Sequence, residues 1–209
     1  MKTLVLCGIL DHAGTCKLHI PFTTDVPPRP RWGAAGSEFA EVELLDRSNA
    51  VLNRAEIDVE RMFDASDGPE HDPWQVIGLA AMPDETEGVR LRWRGNVIYE
   101  SWAPAGSPAV RCTWTPPEDG VLSGAFRFTW KASHPDDVPL HLFVFTQSSD
   151  GRGEAVASLQ VKPGGPAGAG QVTLDSRNFS RGTTALIIRV SDGFHEASDT
   201  SPPFTLAQD

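Results

Sequence analysis

The sequence predicts an all-β protein built from two consecutive β-sandwich domains. Glycine and proline, with 19 and 17 copies in 209 residues, are abundant enough for a chain with many turns. Short runs of alternating apolar and polar residues recur along the chain, whereas sustained helical periodicity is scarce. A linker of small residues and prolines at 104–108 separates a domain at 1–103 from a domain at 109–209.

The first domain contains two loop signals between its strands. A Pro-rich crossover occupies 23–36 and an acidic loop occupies 64–73. Strict alternation late in the domain places Val89, Leu91 and Trp93 towards a core and the arginines between them towards solvent. The alternation predicts seven strands, at 2–10, 16–22, 38–46, 50–60, 74–81, 88–94 and 96–102.

The second domain shows the same pattern of short strands between turn signals. Its most apolar run, 184–191, is typical of a central strand. Asp192 and Gly193 then predict a turn in which glycine supplies a positive φ and the carboxylate bonds the backbone. Seven strands in about 100 residues describe a β-sandwich. They are predicted at 109–114, 121–132, 139–147, 153–161, 170–175, 184–191 and 201–207.

The charge distribution argues against nucleic-acid and anionic-membrane partners. The net charge is -10, both halves are acidic, and no cluster of Lys and Arg is long enough to follow a phosphate backbone. No apolar stretch approaches the ~18 residues of a membrane helix, so membrane insertion is not expected.

The cysteine pattern and the N-terminus bear on the compartment. The three cysteines are expected to be free thiols, because the turn after Leu10 places Cys7 opposite His19 and not opposite Cys16. The apolar run from Thr3 to Leu10 is interpreted as a first strand, since no small-residue cleavage site follows it. Both features are compatible with the cytoplasm.

Tryptophan is the most suggestive aromatic residue, with six copies against one tyrosine. Exposed tryptophans stack on sugar rings and anchor protein interfaces. Trp93 and Trp130 are assigned to the cores by alternation, whereas Trp32 and Trp74 lie in or beside loops. Trp32 and Trp74 are therefore the candidates for binding a protein partner or a glycan.

The acidic loop is the candidate metal site. Calcium requires six to eight oxygen ligands, and this loop offers closely spaced carboxylates at Asp64, Asp67, Glu70 and Asp72. A solvated loop without metal is the competing interpretation. A metal-dependent hydrolase using Glu70, His71 and Asp72 is a third interpretation, but the sequence contains no nucleophile or zinc-protease motif to complete such a site. No enzymatic activity and no other cofactor are therefore predicted.

A family resemblance adds to this picture. The passages 119–130, 184–193 and 200–206 resemble the opening strand pair, the late central strand with its Ser-Asp-Gly turn, and the closing strand of bacterial immunoglobulin-like modules, of fibronectin-III or PKD type. Such modules form the tails of large surface or secreted proteins, some of them peptidase-related. The first half more loosely resembles the β-rich module that precedes them. The resemblance implies an immunoglobulin-like second domain, an extracellular or cell-surface location and no catalytic residues.

These observations favour a non-catalytic interaction or accessory module that docks to a protein partner or positions one. Loops at the ends of sandwiches and unpaired sheet edges are the expected contact surfaces. A carbohydrate-binding module that uses the loop tryptophans is the alternative.

Overall fold

The computed structural model describes residues 2–11, 14–24, 27, 38–62, 73–162 and 168–207. The chain divides into two compact units, Met1–Ala103 (unit 1) and Pro104–Asp209 (unit 2). Their regular structure consists of β-strands, with short 3₁₀ turns such as Ser176–Asn178, which confirms the all-β class. Within the described ranges, no helix is long and apolar enough to span a membrane.

The described strands of unit 1 form one antiparallel sheet. Its path is β2-β1-β6-β5-β4-β7-β8, and β3 also pairs with β1. The strands are β1 (Lys2–Leu10), β2 (Cys16–Leu18), β3 (Phe22–Thr24), β4 (Glu38–Leu45), β5 (Val51–Arg61), β6 (Trp74–Met82), β7 (Gly88–Trp93) and β8 (Asn96–Trp102).

This continuous sheet differs from the two separate sheets of a sandwich. Strand β4 pairs with β5 on one side and β7 on the other, and β6 joins β5 to β1, so the hydrogen-bond ladder is unbroken. The strand predicted at 16–22 is interrupted, and its two parts both pair with β1. Alternation assigns a residue to a face of its strand, but it does not say which strands become neighbours.

One face of the sheet forms the core of unit 1. Strand β4 contributes Ala40, Val42 and Leu44, all fully buried. Complete burial of a side chain of this kind contributes about 1.5–3 kcal/mol. The same face carries buried residues from the other long strands: Leu4, Leu6, Leu10, Ile57, Val59, Val76, Ala80, Val89 and Leu91.

The opposite face carries a charged ladder centred on Glu43, which is only 3% exposed. Its carboxylate accepts hydrogen bonds from Arg54 at 3.1 Å, Arg90 at 3.2 Å and Arg92 at 3.1 Å. Arg90 continues the ladder to Glu100 on β8, at 2.6 Å. The ladder thus links β5, β4, β7 and β8 through their side chains. Burial opposes ionisation of Glu43, but hydrogen bonds from Arg92 and Arg90 outweigh it and lower the pKa of the carboxyl group.

The strands described for unit 2 form three sheets. A sheet of order β14-β11-β9 and a sheet of order β13-β12-β15-β16 are joined by a short parallel pair, β10-β17. The strands are β9 (Ala109–Cys112), β10 (Val121–Leu122), β11 (Ala125–Ser133), β12 (Leu140–Ser148), β13 (Ala155–Val161), β14 (Ala169–Asp175), β15 (Thr183–Ser191), β16 (Glu196–Thr200) and β17 (Thr205–Leu206).

Side chains from the two larger sheets of unit 2 meet in one core, as expected of a β-sandwich. Phe128 and Trp130 enter it from β11, and Leu142 and Leu186 enter it from the facing sheet. The core contains Trp114, Leu122, Phe128, Trp130, Ala132, Leu140, Leu142, Val144, Leu174, Phe179, Leu186, Ile188, Val190 and Phe204.

Two boundaries in unit 2 differ from the predicted strands. The strand predicted at 121–132 is broken at Gly124, whose φ of 64° ends β10 before β11 begins. Strand β16 was not predicted, because four of the five residues of Glu196–Thr200 are polar and Ala197 is its one apolar residue.

The Glu43 ladder gives unit 1 a specific acid sensitivity. Because the pKa of Glu43 is lowered by folding, its contribution to stability is complete above the unfolded pKa of about 4.3 and is lost as the pH falls through the folded value. We expect Glu43→Gln to reduce the free energy of unfolding by about 1–3 kcal/mol at neutral pH. The difference from wild type should shrink below about pH 4. Urea unfolding at several pH values measures both quantities.

Glu100→Gln is the matched control for this experiment, because Glu100 also binds Arg90 but is more exposed. Its effect should be smaller than that of Glu43→Gln. If the free energies of unfolding of wild type and Glu43→Gln differ by the same amount from pH 7 to pH 3, the role given to the Glu43 carboxylate is contradicted.

Candidate interaction site

Trp74 lies where two strands of unit 1 come together. It is the first residue of β6, where it pairs with Arg61 on β5 and with Leu10 on β1. Its ring is half-buried and contacts Trp93, the last residue of β7, with ring centroids 5.7 Å apart at an angle of 56°. Trp74, which was predicted to lie beside a loop, therefore packs against Trp93, which was predicted to lie in the core.

Two arginines complete this cluster. The guanidinium groups of Arg61 and Arg94 lie 5.1 and 5.9 Å from the centre of the Trp74 ring, and Arg94 lies 4.1 Å from Trp93. Arg94 occupies a tight turn with a φ of 51°, which directs its side chain back over the indoles. Cations over aromatic faces contribute about 0.5–2 kcal/mol each.

Glu38 fixes the cluster from the neighbouring strand. Its carboxylate accepts hydrogen bonds from Arg94 Nη2 at 2.6 Å and Nε at 3.1 Å, and from Trp93 Nε1 at 3.1 Å. The hydrogen bonds from Arg94 are the main reason that the pKa of Glu38 is lowered. The cluster of Glu38, Arg61, Trp74, Trp93 and Arg94 is thus held by ion pairing and stacking, and it leaves a cationic group beside a half-buried indole.

A second feature of unit 1 is a set of apolar side chains on the outer face of the sheet. Phe39, Ile77 and Ile9 are 47%, 43% and 45% exposed. Register explains their grouping: Phe39 pairs with Asp58, Asp58 with Ile77, and Ile77 with Cys7. Ile9 follows Cys7 by two residues on β1 and therefore shares its face. We refer to Cys7, Ile9, Phe39 and Ile77 as the apolar band.

Two carboxylates lie beside the band, and Lys17 pairs with Ile9 at its other end. Asp58, itself buried, lies in the row between Phe39 and Ile77. Glu60, two residues further along β5, faces the same way and is exposed. Exposed apolar groups gathered on one face, with charges beside them, are typical of interaction surfaces.

The apolar band was not among the sites predicted from the sequence. In the linear pattern Phe39 and Ile77 have the residue types of core positions, and Phe39 lies next to the fully buried Ala40. The pairing of both strands with β5 places the two side chains on the solvent side of the sheet. The signal that was available is the parity of β4, in which Phe39 alternates with Ala40, Val42 and Leu44.

The remaining residues predicted for binding cannot be placed. Trp32 and the acidic-loop residues Asp64, Asp67, Glu70, His71 and Asp72 lie outside the described residues. Across 2–11, 14–24, 27, 38–62, 73–162 and 168–207, no group of three or more His, Cys, Asp or Glu side chains is arranged to hold a metal ion. The calcium site and the role of Trp32 stay predictions.

The cysteines are free thiols within this part of the chain. The backbone N–H of His19 donates to the carbonyl of Cys7 at 2.9 Å, which confirms the predicted pairing of these two residues. Cys16 pairs with Leu10 instead. Burial raises the pKa of Cys16 to about 11, with the nearby Asp11 adding to the effect, so its thiol is protonated at neutral pH.

A buried polar cluster of unit 2 lies at the turn after β15. Asp192 Oδ1 accepts from the backbone N–H groups of Phe194 and His195, and Gly193 has a φ of 104°, which confirms the predicted turn. Asp192 Oδ2 lies 3.2 Å from His134 Nε2 and 3.0 Å from His195 Nδ1. Because His134 Nδ1 accepts a backbone hydrogen bond, its Nε2 carries the proton and donates to Asp192.

Comparison with known proteins adds no family. No protein-family model matches the chain, and no curated protein matches it.

The cluster around Trp74 predicts a measurable coupling between two indoles. We expect Trp74→Ala to remove the near-ultraviolet circular dichroism that arises from Trp74 and Trp93, because the rings are close and tilted. Loss of the stacked cations and the half-buried ring should also lower stability by about 1–2 kcal/mol.

Trp102→Ala is the control for the spectroscopic effect, since Trp102 is exposed on the outer face and bonds Glu100. An unchanged spectrum for Trp74→Ala, with a changed one for Trp102→Ala, would show that the two indoles are not coupled in solution.

Proposed function

We propose that this chain is a non-catalytic interaction module that docks a protein partner through the apolar band of unit 1. The observation that carries the proposal is the exposure of Ile9, Phe39 and Ile77 on one face of a continuous sheet. These three side chains come from three different strands whose mutual register is fixed by backbone hydrogen bonds. A preorganised surface of this kind loses little conformational entropy when it binds.

The charge around the band indicates the chemistry of the partner. Asp58 and Glu60 lie on the same face, and the whole chain has a net charge of -10. A protein surface with an apolar centre and a rim of Lys or Arg is complementary to this arrangement. Such complementarity accelerates association and selects against acidic partners.

Unit 2 is proposed to be an immunoglobulin-like accessory domain. The support is its strand order, in which β14-β11-β9 faces β13-β12-β15-β16 around a common core and the parallel pair β10-β17 links the first strands to the last. This arrangement is similar to that of fibronectin-III-type sandwiches. Such a domain serves as a spacer, or as a second contact surface, for the unit that docks.

The polar clusters also support a non-catalytic role. Glu38 and Glu43 are bonded to arginines, and Asp192 holds a turn. Each of these carboxylates has a use in the fold of its own unit. Glycan binding by Trp74 remains the alternative prediction, although two guanidinium groups and Trp93 surround that ring.

The docking proposal is tested by removing the apolar band. We expect Phe39→Ser combined with Ile77→Ser to weaken binding to the partner by at least about tenfold, since exposed aromatic and aliphatic anchors dominate interface energies. Quantitative affinity purification from cells of the source organism identifies proteins that are lost with this variant. Isothermal titration calorimetry with the purified partner then measures the affinity.

Val97→Ser is the matched control, because Val97 is equally exposed but belongs to β8, away from the band. The partner should be retained by this variant. Because the rim of the partner is expected to be basic, the partner should bind the wild-type chain less tightly at high salt. It should also bind a Glu60→Lys variant less tightly than it binds wild type. A partner that the Phe39→Ser, Ile77→Ser protein retains at full affinity would overturn the proposal.

A further inference from the structure

The outer face of the β14-β11-β9 sheet in unit 2 is basic. Phe128 and Trp130 of β11 enter the core, so Arg127 and Lys131 of the same strand point to the opposite side, where both are exposed. Arg111 of β9 pairs with Lys131 and is also exposed, so it lies on the same side. Three cations from two neighbouring strands therefore share this face.

Hydroxyl and amide side chains lie between the cations. Thr129, midway between Arg127 and Lys131 on β11, pairs with Gln171 of β14. The hydroxyl group of Thr113 donates a hydrogen bond to the Thr129 hydroxyl oxygen, at 3.1 Å. A polar row therefore crosses the sheet between the two cations of β11. We refer to Arg111, Thr113, Arg127, Thr129, Lys131 and Gln171 as the basic face.

The cations of the basic face have no carboxylate partner among the residues that the structure describes. This differs from Arg152 of the same unit, which pairs with Asp150. Arg111 and Lys131 also lie directly opposite each other in the strand register. Like charges in this position repel each other and destabilise a sheet. The pairing within unit 2 therefore leaves a positive potential on this face, and an anionic ligand would relieve the repulsion.

Two carboxylates at the margins of the basic face are engaged in other bonds. Asp175, the last residue of β14, accepts hydrogen bonds from the guanidinium group of Arg177. Asp199 accepts a hydrogen bond from the backbone N–H of Cys112, at 2.8 Å. These two groups are therefore committed to the fold of unit 2, and the charge of the basic face is left for a ligand.

We propose that the basic face binds a short acidic segment of a partner protein in an extended conformation. Charge complementarity identifies the class of ligand, and strand geometry specifies its spacing. Arg127 and Lys131 are four residues apart on β11, which corresponds to about 13 Å along a strand. Carboxylates at positions i and i+4 of an extended segment have the same separation and point to the same side. The segment therefore has the pattern acidic-x-polar-x-acidic, with its polar residue opposite Thr129 and Gln171.

The charge of the whole chain favours a short ligand over a long polyanion. The net charge is -10, and only three cations are gathered on this face. A polynucleotide that extends beyond them meets an acidic protein and is repelled. A segment of about five extended residues, in contrast, is matched by the basic face alone. This site consists only of unit 2 residues and does not depend on the apolar band.

The test uses the full chain and two synthetic peptides. The probe is acetyl-Glu-Val-Thr-Val-Glu-amide, and the control peptide, acetyl-Glu-Glu-Val-Thr-Val-amide, has the same charge and composition with adjacent carboxylates. We expect ¹H–¹⁵N NMR at low salt to show saturable shifts of backbone amides in β9, β11 and β14. The affinity for the probe should fall several-fold at about 0.5 M salt, because the site is exposed. The control peptide should bind about threefold more weakly than the probe.

Protein variants locate the site. Arg127→Gln and Lys131→Gln should each weaken the probe by about two- to fivefold, and the double variant more than either. Arg152→Gln is the matched control, because it removes the same charge from an exposed arginine outside the basic face, and it should leave the affinity unchanged. Phe39→Ser combined with Ile77→Ser should bind the probe like wild type, which separates this proposal from docking through the apolar band.

The proposal is overturned if the probe gives no saturable shifts at low salt, or if Arg152→Gln weakens binding as much as Lys131→Gln. Tighter binding of a single-stranded oligonucleotide than of the probe on the same strands would also overturn it, because the face would then take a polyanion in place of a protein segment. Equal affinities for the probe and the control peptide would overturn the assigned spacing.

Discussion

The register of β4 is the constraint on which most of unit 1 depends. This strand is paired on both sides, so none of its side chains can change face without moving every neighbour. Burial of Ala40, Val42 and Leu44 therefore requires Phe39, Glu41 and Glu43 to point outward. The core, the apolar band and the charged ladder are three consequences of one alignment.

The outward-pointing side chains of unit 1 have two different environments. Near Glu43, three arginines cover the carboxylate and neutralise its negative charge. Arginine suits this task because its planar guanidinium bonds in several directions while its aliphatic stem covers apolar surface. Near Phe39 the outer face carries apolar side chains, and Ile9, Phe39 and Ile77 are each more than 40% exposed. At one end of this face the charges are paired within the sheet, and at the other end apolar side chains are exposed.

Local patterns predicted the strands of this protein well and the relations between strands poorly. Alternation located the long strands and assigned Trp93 and Trp130 to the cores. Alternation could not show that β6 lies between β1 and β5, because no local sequence feature determines which strands pair with each other. Strand β16 was missed because its residues are mostly polar, whereas its pairing with β15 depends on backbone groups.

The same distinction applies to the sites. Trp74 was selected for its position beside a loop, but its contact with Trp93 joins strands that are not neighbours in the sheet. In unit 2 the Trp130 ring covers Gly170 only because β11 and β14 pair in the register that sets these two residues opposite each other. Both features arise from tertiary register, which composition and spacing do not encode.

The short parallel pair in unit 2 has a mechanical consequence. Strands β10 and β17 are joined by backbone hydrogen bonds from Thr205 to Gly120, at 2.8 Å, and from Ala207 to Leu122, at 3.0 Å. They connect the early part of the unit to its last strand. Tension applied through the chain on either side of unit 2 pulls these strands in opposite directions along their length. The two bonds are loaded together, in shear, once the preceding strand β9 has been drawn away from β11.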